Sequence, residues 1–488
     1  MTNHLADEEA NSTLKQLTEP LTDPSSSDPV LLRNILETAK WIQKQEIKTK
    51  YGKTWKQTPT ADISLDESPL LFPKSLYGGS AGIGFFFLKL YLAVKDPKYL
   101  KEAEAAADHI LSTYEGKKLY ERVDEGTCAG IGTGFYNGPA GEAYFLWYLY
   151  EETGRKEYRS FVLQAANDLI AGANRMNDSL GGIAWGDASG IISDGGLVLF
   201  LLWIYEKTKE KRYLDAAVQA GERIRKEARP APEGIRWYAQ DSIAFGYGPN
   251  GYFPNFFYGT SGNAYVQACL YEKTGRTEFL TAAKKGAEYV ESVAVRKNGA
   301  IFVPYNDPYD LDLYYLGMCQ GPIGTSRLFF KLYELTGEES YKEWTLGLTD
   351  ALEAAGAPEK HSPGYWHTYC YCCGAAGMLE HYLGIYHAFG DEKHLRLAER
   401  CADVLIRDSF ADLKEQEEKE PRIRLRRWYT AWTRTIPENR RRASDGASSE
   451  GASAGRAGVS LPVRSGWRKH TSLFGNRILG GHRPEQDA

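Results

Sequence analysis

Four of the seven cysteines of the 488-residue chain fall between positions 319 and 373, at Cys319, Cys370, Cys372 and Cys373. Two of the motifs they make, Met318-Cys319-Gln320-Gly321 and Tyr371-Cys372-Cys373-Gly374, set cysteine just ahead of a glycine loop. Where such a loop opens a helix, the helix dipole favours thiolate over thiol, which serves both metal binding and nucleophilicity. Three converging thiolates would hold zinc at about 2.3 Å each and leave a fourth tetrahedral position open, the arrangement of catalytic rather than structural zinc. The competing reading is buried, inert cysteine. It is adopted here for Cys128, Cys269 and Cys401, which have no partner at ligand spacing.

Convergence of Cys319 with Cys372 and Cys373 requires equivalent places in a repeat, and the chain is repetitive. Glycine entries occur at Gly79-Ser-Ala-Gly82, Gly138-Pro-Ala-Gly141, Gly259-Thr-Ser-Gly262, Gly321-Pro-Ile-Gly324 and Gly374-Ala-Ala-Gly377, with a degenerate copy at Ser193-Asp-Gly-Gly196. Each leads into a very apolar run, a polar turn, and an amphipathic segment anchored by Tyr99, Tyr158, Tyr213, Phe279, Tyr341 or His394. The anchors are spaced by 59, 55, 66, 62 and 53 residues. In the second copy Ala143 to Tyr150 is apolar all round, as a fully buried helix would be. Tyr158, Phe161, Val162, Ala165, Ala166, Leu169 and Ile170 then recur at helical spacing on one face. Six helical hairpins with buried inner and amphipathic outer members predict an all-α fold, an α/α toroid whose glycine loops surround one end of a central cavity.

The segments Gly182-Ile-Ala-Trp185, Gly234-Ile-Arg-Trp237 and Gly364-Tyr-Trp-His367 read as short and extended, their aromatics either lining the cavity mouth or packing. Val30 to Ile47 reads as a solitary amphipathic helix. The expected organisation is a disordered stretch over 1–27, a toroid domain over 28–435, and an atypical basic Ser/Gly/Arg-rich tail over 436–488. A seventh inner helix would begin near 427–436, where the composition instead turns arginine-, serine- and glycine-rich.

With 59 basic against 64 acidic residues the formal charge is −5, which gives no footprint for nucleic acid or an anionic membrane. The longest apolar run, Leu197 to Tyr205, is far short of the ~20 residues that span a bilayer. The N-terminus lacks the basic start and apolar stretch of a signal peptide, so a cytoplasmic location is expected.

Six glycine-headed hairpins, with a cysteine before the fifth glycine loop and a ligand pair before the sixth, resemble lanthionine synthetase C-like proteins over about residues 30–435. The resemblance implies a toroid of seven inner helices and a zinc ion held by one cysteine in the first loop and a Cys-His pair in the next. Cys319 and Cys372 match two ligands, and Cys373 stands at the histidine's place, a Cys-Cys-Gly variant. What it implies chemically is Michael-type addition: a peptide cysteine, bound as thiolate, attacks dehydroalanine or dehydrobutyrine to close a thioether. A separate dehydratase would then supply the dehydrated peptide. Members of the family carry a histidine before the fourth glycine loop, where this chain has Tyr258, and an arginine four residues before the first zinc cysteine, where it has Tyr315. Tyr258 and His367 are the acid/base candidates.

Two other functions fit a toroid. A carbohydrate-active enzyme of glycosidase or epimerase type needs a carboxylate pair, for which Asp187, Asp194 and Asp241 beside tryptophans are candidates. A non-catalytic zinc protein binding glutathione or a peptide thiol needs only the cysteines.

Overall fold

A computed structural model describes residues 29–55, 74–117, 134–186, 190–239, 250–360, 365–366 and 370–419, with side chains from 31 to 407 within those spans. Its helices form an α/α toroid. The inner helices are α2 (Ser80–Val94), α4 (Pro139–Thr153), α6 (Asp194–Thr208), α8 (Thr260–Thr274), α10 (Pro322–Thr336) and α12 (Ala375–Phe389). Each is followed after a short turn by its outer partner: α3 (Pro97–Ser112), α5 (Lys156–Ala171), α7 (Lys211–Lys226), α9 (Thr277–Val293), α11 (Glu339–Ala354) and α13 (Glu392–Lys419). The first outer position, α1 (Pro29–Lys44), precedes them all.

The alternation follows from side-chain pattern. In α6 every residue from Asp194 to Ile204 is buried, because the helix has protein on all sides. In α5 burial is confined to Tyr158, Phe161, Val162, Ala165, Ala166 and Leu169. The turns close on left-handed residues, Gly154, Gly275, Gly337 and Gly390 among them, a conformation glycine adopts without steric cost. All six anchors after the turns are buried, from Tyr99 to His394.

The second glycine of each entry has a specific task. At Gly324 an added Cβ would strike the carbonyl of Met318, and at Gly377 that of Tyr371. The loop therefore folds back over the first turn of its own inner helix, which a larger residue would prevent. This pins the residues just before each helix to one end of the toroid.

The N-terminal helix is shorter than its amphipathic pattern suggests. It ends at Lys44, and Glu46–Lys48 (β1) pairs antiparallel with Lys53–Trp55 (β2). Thr49 closes the turn, its hydroxyl accepting from the amide of Gly52, and buried Trp55 packs on Phe87 of α2. Gln43 of α1 donates to Glu102 of α3, while α1 also contacts α13. Helix α1 thus bridges the last and first outer helices. The positions where a seventh inner helix is expected lie outside the described residues, as do the expected domain limits at 27 and 435.

The extended aromatic segments exist as strands, Ile183–Ala184 (β4) against Asn174–Arg175 (β3) and Ile235–Arg236 (β6) against Arg229–Pro230 (β5). Their tryptophans pack rather than line a mouth. The indole of Trp185 donates to the Leu169 carbonyl at 2.8 Å, and that of Trp237 to the Ile224 carbonyl at 2.6 Å. Each fastens a strand to the end of an outer helix. Between α9 and α10, Val295–Lys297 (β7) pairs with Ala300–Phe302 (β8), and Tyr314–Tyr315 (β9) runs parallel to Tyr365–Trp366 (β10).

Candidate metal centre

The residue two places before each inner helix's N-cap occupies one register position around the toroid's end: Tyr77, Tyr136, Ile191, Phe257, Cys319 and Cys372. Backbone hydrogen bonds tie neighbouring loops together there. The amide of Tyr77 donates to the Tyr136 carbonyl (3.0 Å), that of Phe257 to Cys319 (2.8 Å), and that of Met318 to Cys372 (2.7 Å). Gly317 permits the last approach, since a Cβ on it would lie 2.6 Å from the Cys373 Cα and against the Cys372 carbonyl.

This stitching brings Cys319, Cys372 and Cys373 together, with their sulfurs all within 4.8 Å of one another. Cys319 Sγ is 3.2 Å from Cys373 Sγ. At about 2.3 Å per bond, tetrahedral zinc sets its sulfur ligands about 3.8 Å apart, so the three thiols fit such an ion with small adjustment. Cys319 and Cys372 are buried and Cys373 is half-buried, which leaves the open side of the cluster at Cys373.

The thiols share their protons unequally. Hydrogen bonds from Cys372, then Cys373, hold the Cys319 thiol down to about 5, while donating to that thiolate pushes Cys372 and Cys373 well up. Titration belongs to the cluster as a whole: the first proton leaves readily and the next two do not. A buried anionic cluster that resists further ionisation is what a divalent cation relieves.

Tyr77 is a member of this site that the sequence reading did not pick out. Its hydroxyl hydrogen-bonds with the Cys372 thiol, and burial beside the cysteines pushes its own ionisation well up. The signal was available, because Tyr77 stands in the register position of Cys319 and Cys372. Arg327 of α10, 8 % exposed, was missed for a different reason: a lone arginine in a helical run carries no motif. It interacts electrostatically with Tyr371, Glu380, Tyr136 and Tyr265.

Tyr258 and Tyr315 are half-buried and belong to one aromatic wall. Tyr315 packs on Tyr305 (centroids 4.4 Å apart), Tyr305 on Phe253 (5.5 Å), and Phe253 on Tyr258 (6.2 Å). His367 lies outside the described residues, so its relation to the thiols is not described. Cys269 and Cys401 are buried core residues, and burial raises the Cys269 thiol to about 12. Cys128 is outside the described residues. Of the carboxylates, Asp194 is spent on structure: its oxygens accept the amides of Trp185 and Gly186 at 3.1 and 2.8 Å. Asp187 and Asp241 are outside the described residues.

A family model for lanthionine synthetase C-like proteins matches residues 71–421. The chain belongs to that family. Among solved structures it is similar to a nisin cyclase at 14 % identity, covering 80 % of this chain and 87 % of that one with a TM-score of 0.51. It also overlaps a cellobiose 2-epimerase from Bacillus thermoamylovorans, at 11 % identity, 68 % and 88 % coverage and a TM-score of 0.40. A sequence search of curated proteins finds no match. Among the described residues no helix is long and apolar enough to cross a membrane. The three cysteines that the resemblance put forward as ligands converge in the structure.

Proposed function

We propose that this chain is a zinc-dependent thioether-forming cyclase, with Cys319, Cys372 and Cys373 as the metal ligands, acting on a peptide dehydrated by a separate enzyme. The observation that carries the reading is the convergence of three thiols from two repeats, 54 residues apart in sequence, in a chain of this family. Zinc, when bound, supplies a Lewis acid that keeps an incoming thiol ionised at neutral pH.

The protein's own groups have distinct tasks. Cys319, Cys372 and Cys373 would hold the ion with three ligands, which would leave one position for the substrate thiol. Three anionic cysteines would donate more charge to the ion than a Cys-Cys-His set, which would leave a substrate thiolate less tightly held and more nucleophilic. Tyr77 steadies Cys372 through its hydroxyl. The aromatic wall of Tyr258, Tyr305 and Tyr315 offers phenolic protons that could quench the carbanion formed by addition. Tyr258 and His367 remain the acid/base candidates. An unperturbed phenol near 10 is a competent proton donor but a slow base at neutral pH.

Cyclisation conserves mass, so the assay follows loss of thiol alkylation. A peptide with one cysteine and one dehydroalanine should lose its alkylatable thiol faster with the zinc-loaded protein than with Cys372→Ala. Equal rates, with zinc present and the peptide bound, would leave a metal-dependent thiol-binding protein instead. Of the carboxylates that the carbohydrate reading offered, Asp194 is taken up by the amides of Trp185 and Gly186, and Asp187 and Asp241 lie outside the described residues.

A further inference from the structure

Cys370 stands outside the three thiols that close on one another, yet it is attached to them. Its sulfur accepts the amide of Cys373 at 3.3 Å, and the two side chains are within hydrogen-bond reach. The pair is spaced three residues apart in Cys370-Tyr371-Cys372-Cys373, on the turn that enters α12. That spacing closes a short disulfide loop. Both residues are half-buried, whereas Cys319 and Cys372 are buried, so an oxidant from solvent meets this pair first.

We propose that Cys370 and Cys373 form a peroxide-sensitive dithiol, whose closure to a disulfide withdraws Cys373 from the metal set and releases the ion. The Cys373 sulfur gives up its proton and attacks one oxygen of hydrogen peroxide. The O–O bond breaks, hydroxide leaves and takes up a proton as water, and Cys373 becomes a sulfenic acid. The Cys370 thiolate then attacks that sulfur. The S–S bond forms, the S–O bond breaks and a second water leaves. Two thiols and one peroxide thus give one disulfide and two waters, the sulfurs losing the two electrons that peroxide gains. Cys319 also lies close to Cys373, at 3.2 Å between sulfurs, but as a ligand it would be tied to the ion while Cys370 would not.

Only the release of the ion rests on the zinc reading; the disulfide does not. The test treats the full chain, zinc-loaded and zinc-free, with hydrogen peroxide. A chromophoric chelator reads released zinc, and peptide mapping without reduction locates the bond. Wild type should release its zinc with a Cys370–Cys373 crosslink, reversed by dithiothreitol. Cys370→Ser should load as much zinc and release it at least about tenfold more slowly. The proposal is overturned if the variant loses zinc as fast as wild type. It is also overturned if the variant fails to load zinc, which would make Cys370 a fourth ligand, or if the crosslink maps to Cys319. If wild type takes up no zinc, the metal reading fails, and mapping of the zinc-free protein still decides: absence of the crosslink overturns the dithiol.

Discussion

Cys319 and Cys373 meet at 3.2 Å between sulfurs although 54 residues separate them. One complete helical hairpin, α10 and α11, lies between, and it returns the chain to the same end of the toroid one position around. Repeat geometry therefore does what a zinc finger does with short local spacing. The ligands belong to two loops joined by the Met318 amide and the Cys372 carbonyl at 2.7 Å.

Metal loading should release protons. At pH 7 Cys319, held near 5, is already ionised, while Cys372 and Cys373 are protonated. Zinc uptake should displace about two protons per ion, and affinity should rise about 100-fold per pH unit around neutrality. Calorimetry in buffers of different ionisation enthalpy counts these protons; a count near zero would contradict the shared-proton arrangement.

Tyr77→Phe should keep the fold and loosen the metal. Losing one hydrogen bond to a sulfur ligand costs about 1 kcal/mol, or roughly fivefold in zinc affinity. In cobalt-substituted protein the sulfur charge-transfer band should shift, because Cys372 becomes the more electron-rich ligand. An unchanged spectrum would mean that the tyrosine only packs.

Gly317→Ala tests the stitching of the loops. The new methyl would lie 2.6 Å from the Cys373 Cα, so the two ligand loops must part. Overpacking of this kind costs about 1–3 kcal/mol, seen as a lower melting temperature. Zinc affinity should fall more than stability, since ligand separation is what changes. Wild-type affinity in a folded variant would count against the role of the close approach.

Much of this was legible in the sequence because two periodicities coincide. Glycine entries and aromatic anchors mark the hairpins, and the same register places Cys319 and Cys372 side by side. The end of α1 at Lys44 was not legible, because Ile47 continues the amphipathic pattern; the Thr49-to-Gly52 turn wins by closing a hairpin on which Trp55 is buried. The roles of Trp185 and Trp237 depend on carbonyls near the ends of the preceding outer helices, Leu169 and Ile224, which no local pattern announces. Arg327 was hidden for the same reason.

Glu142 should make stability pH-dependent. It lies 3 % exposed on inner helix α4, and burial raises its carboxyl to about 7 from an ordinary 4.5. The folded protein therefore holds a proton that the unfolded chain gives up. This stabilising contribution is complete below about pH 4.5 and is lost as pH rises toward 7, a loss of a few kcal/mol. Glu142→Gln, which stays neutral, should melt higher than wild type at pH 8 and close to it at pH 4.5. Parallel melting curves across that window would contradict the buried, protonated carboxyl.

The central claim is that Cys319, Cys372 and Cys373 are a metal centre. Zinc content of the purified full chain, measured beside Cys372→Ala with both shown to be folded, tests it most directly. About one zinc per chain is expected in wild type, with a large loss in the variant. A folded wild-type protein that neither carries zinc nor takes it up under reducing conditions would contradict it.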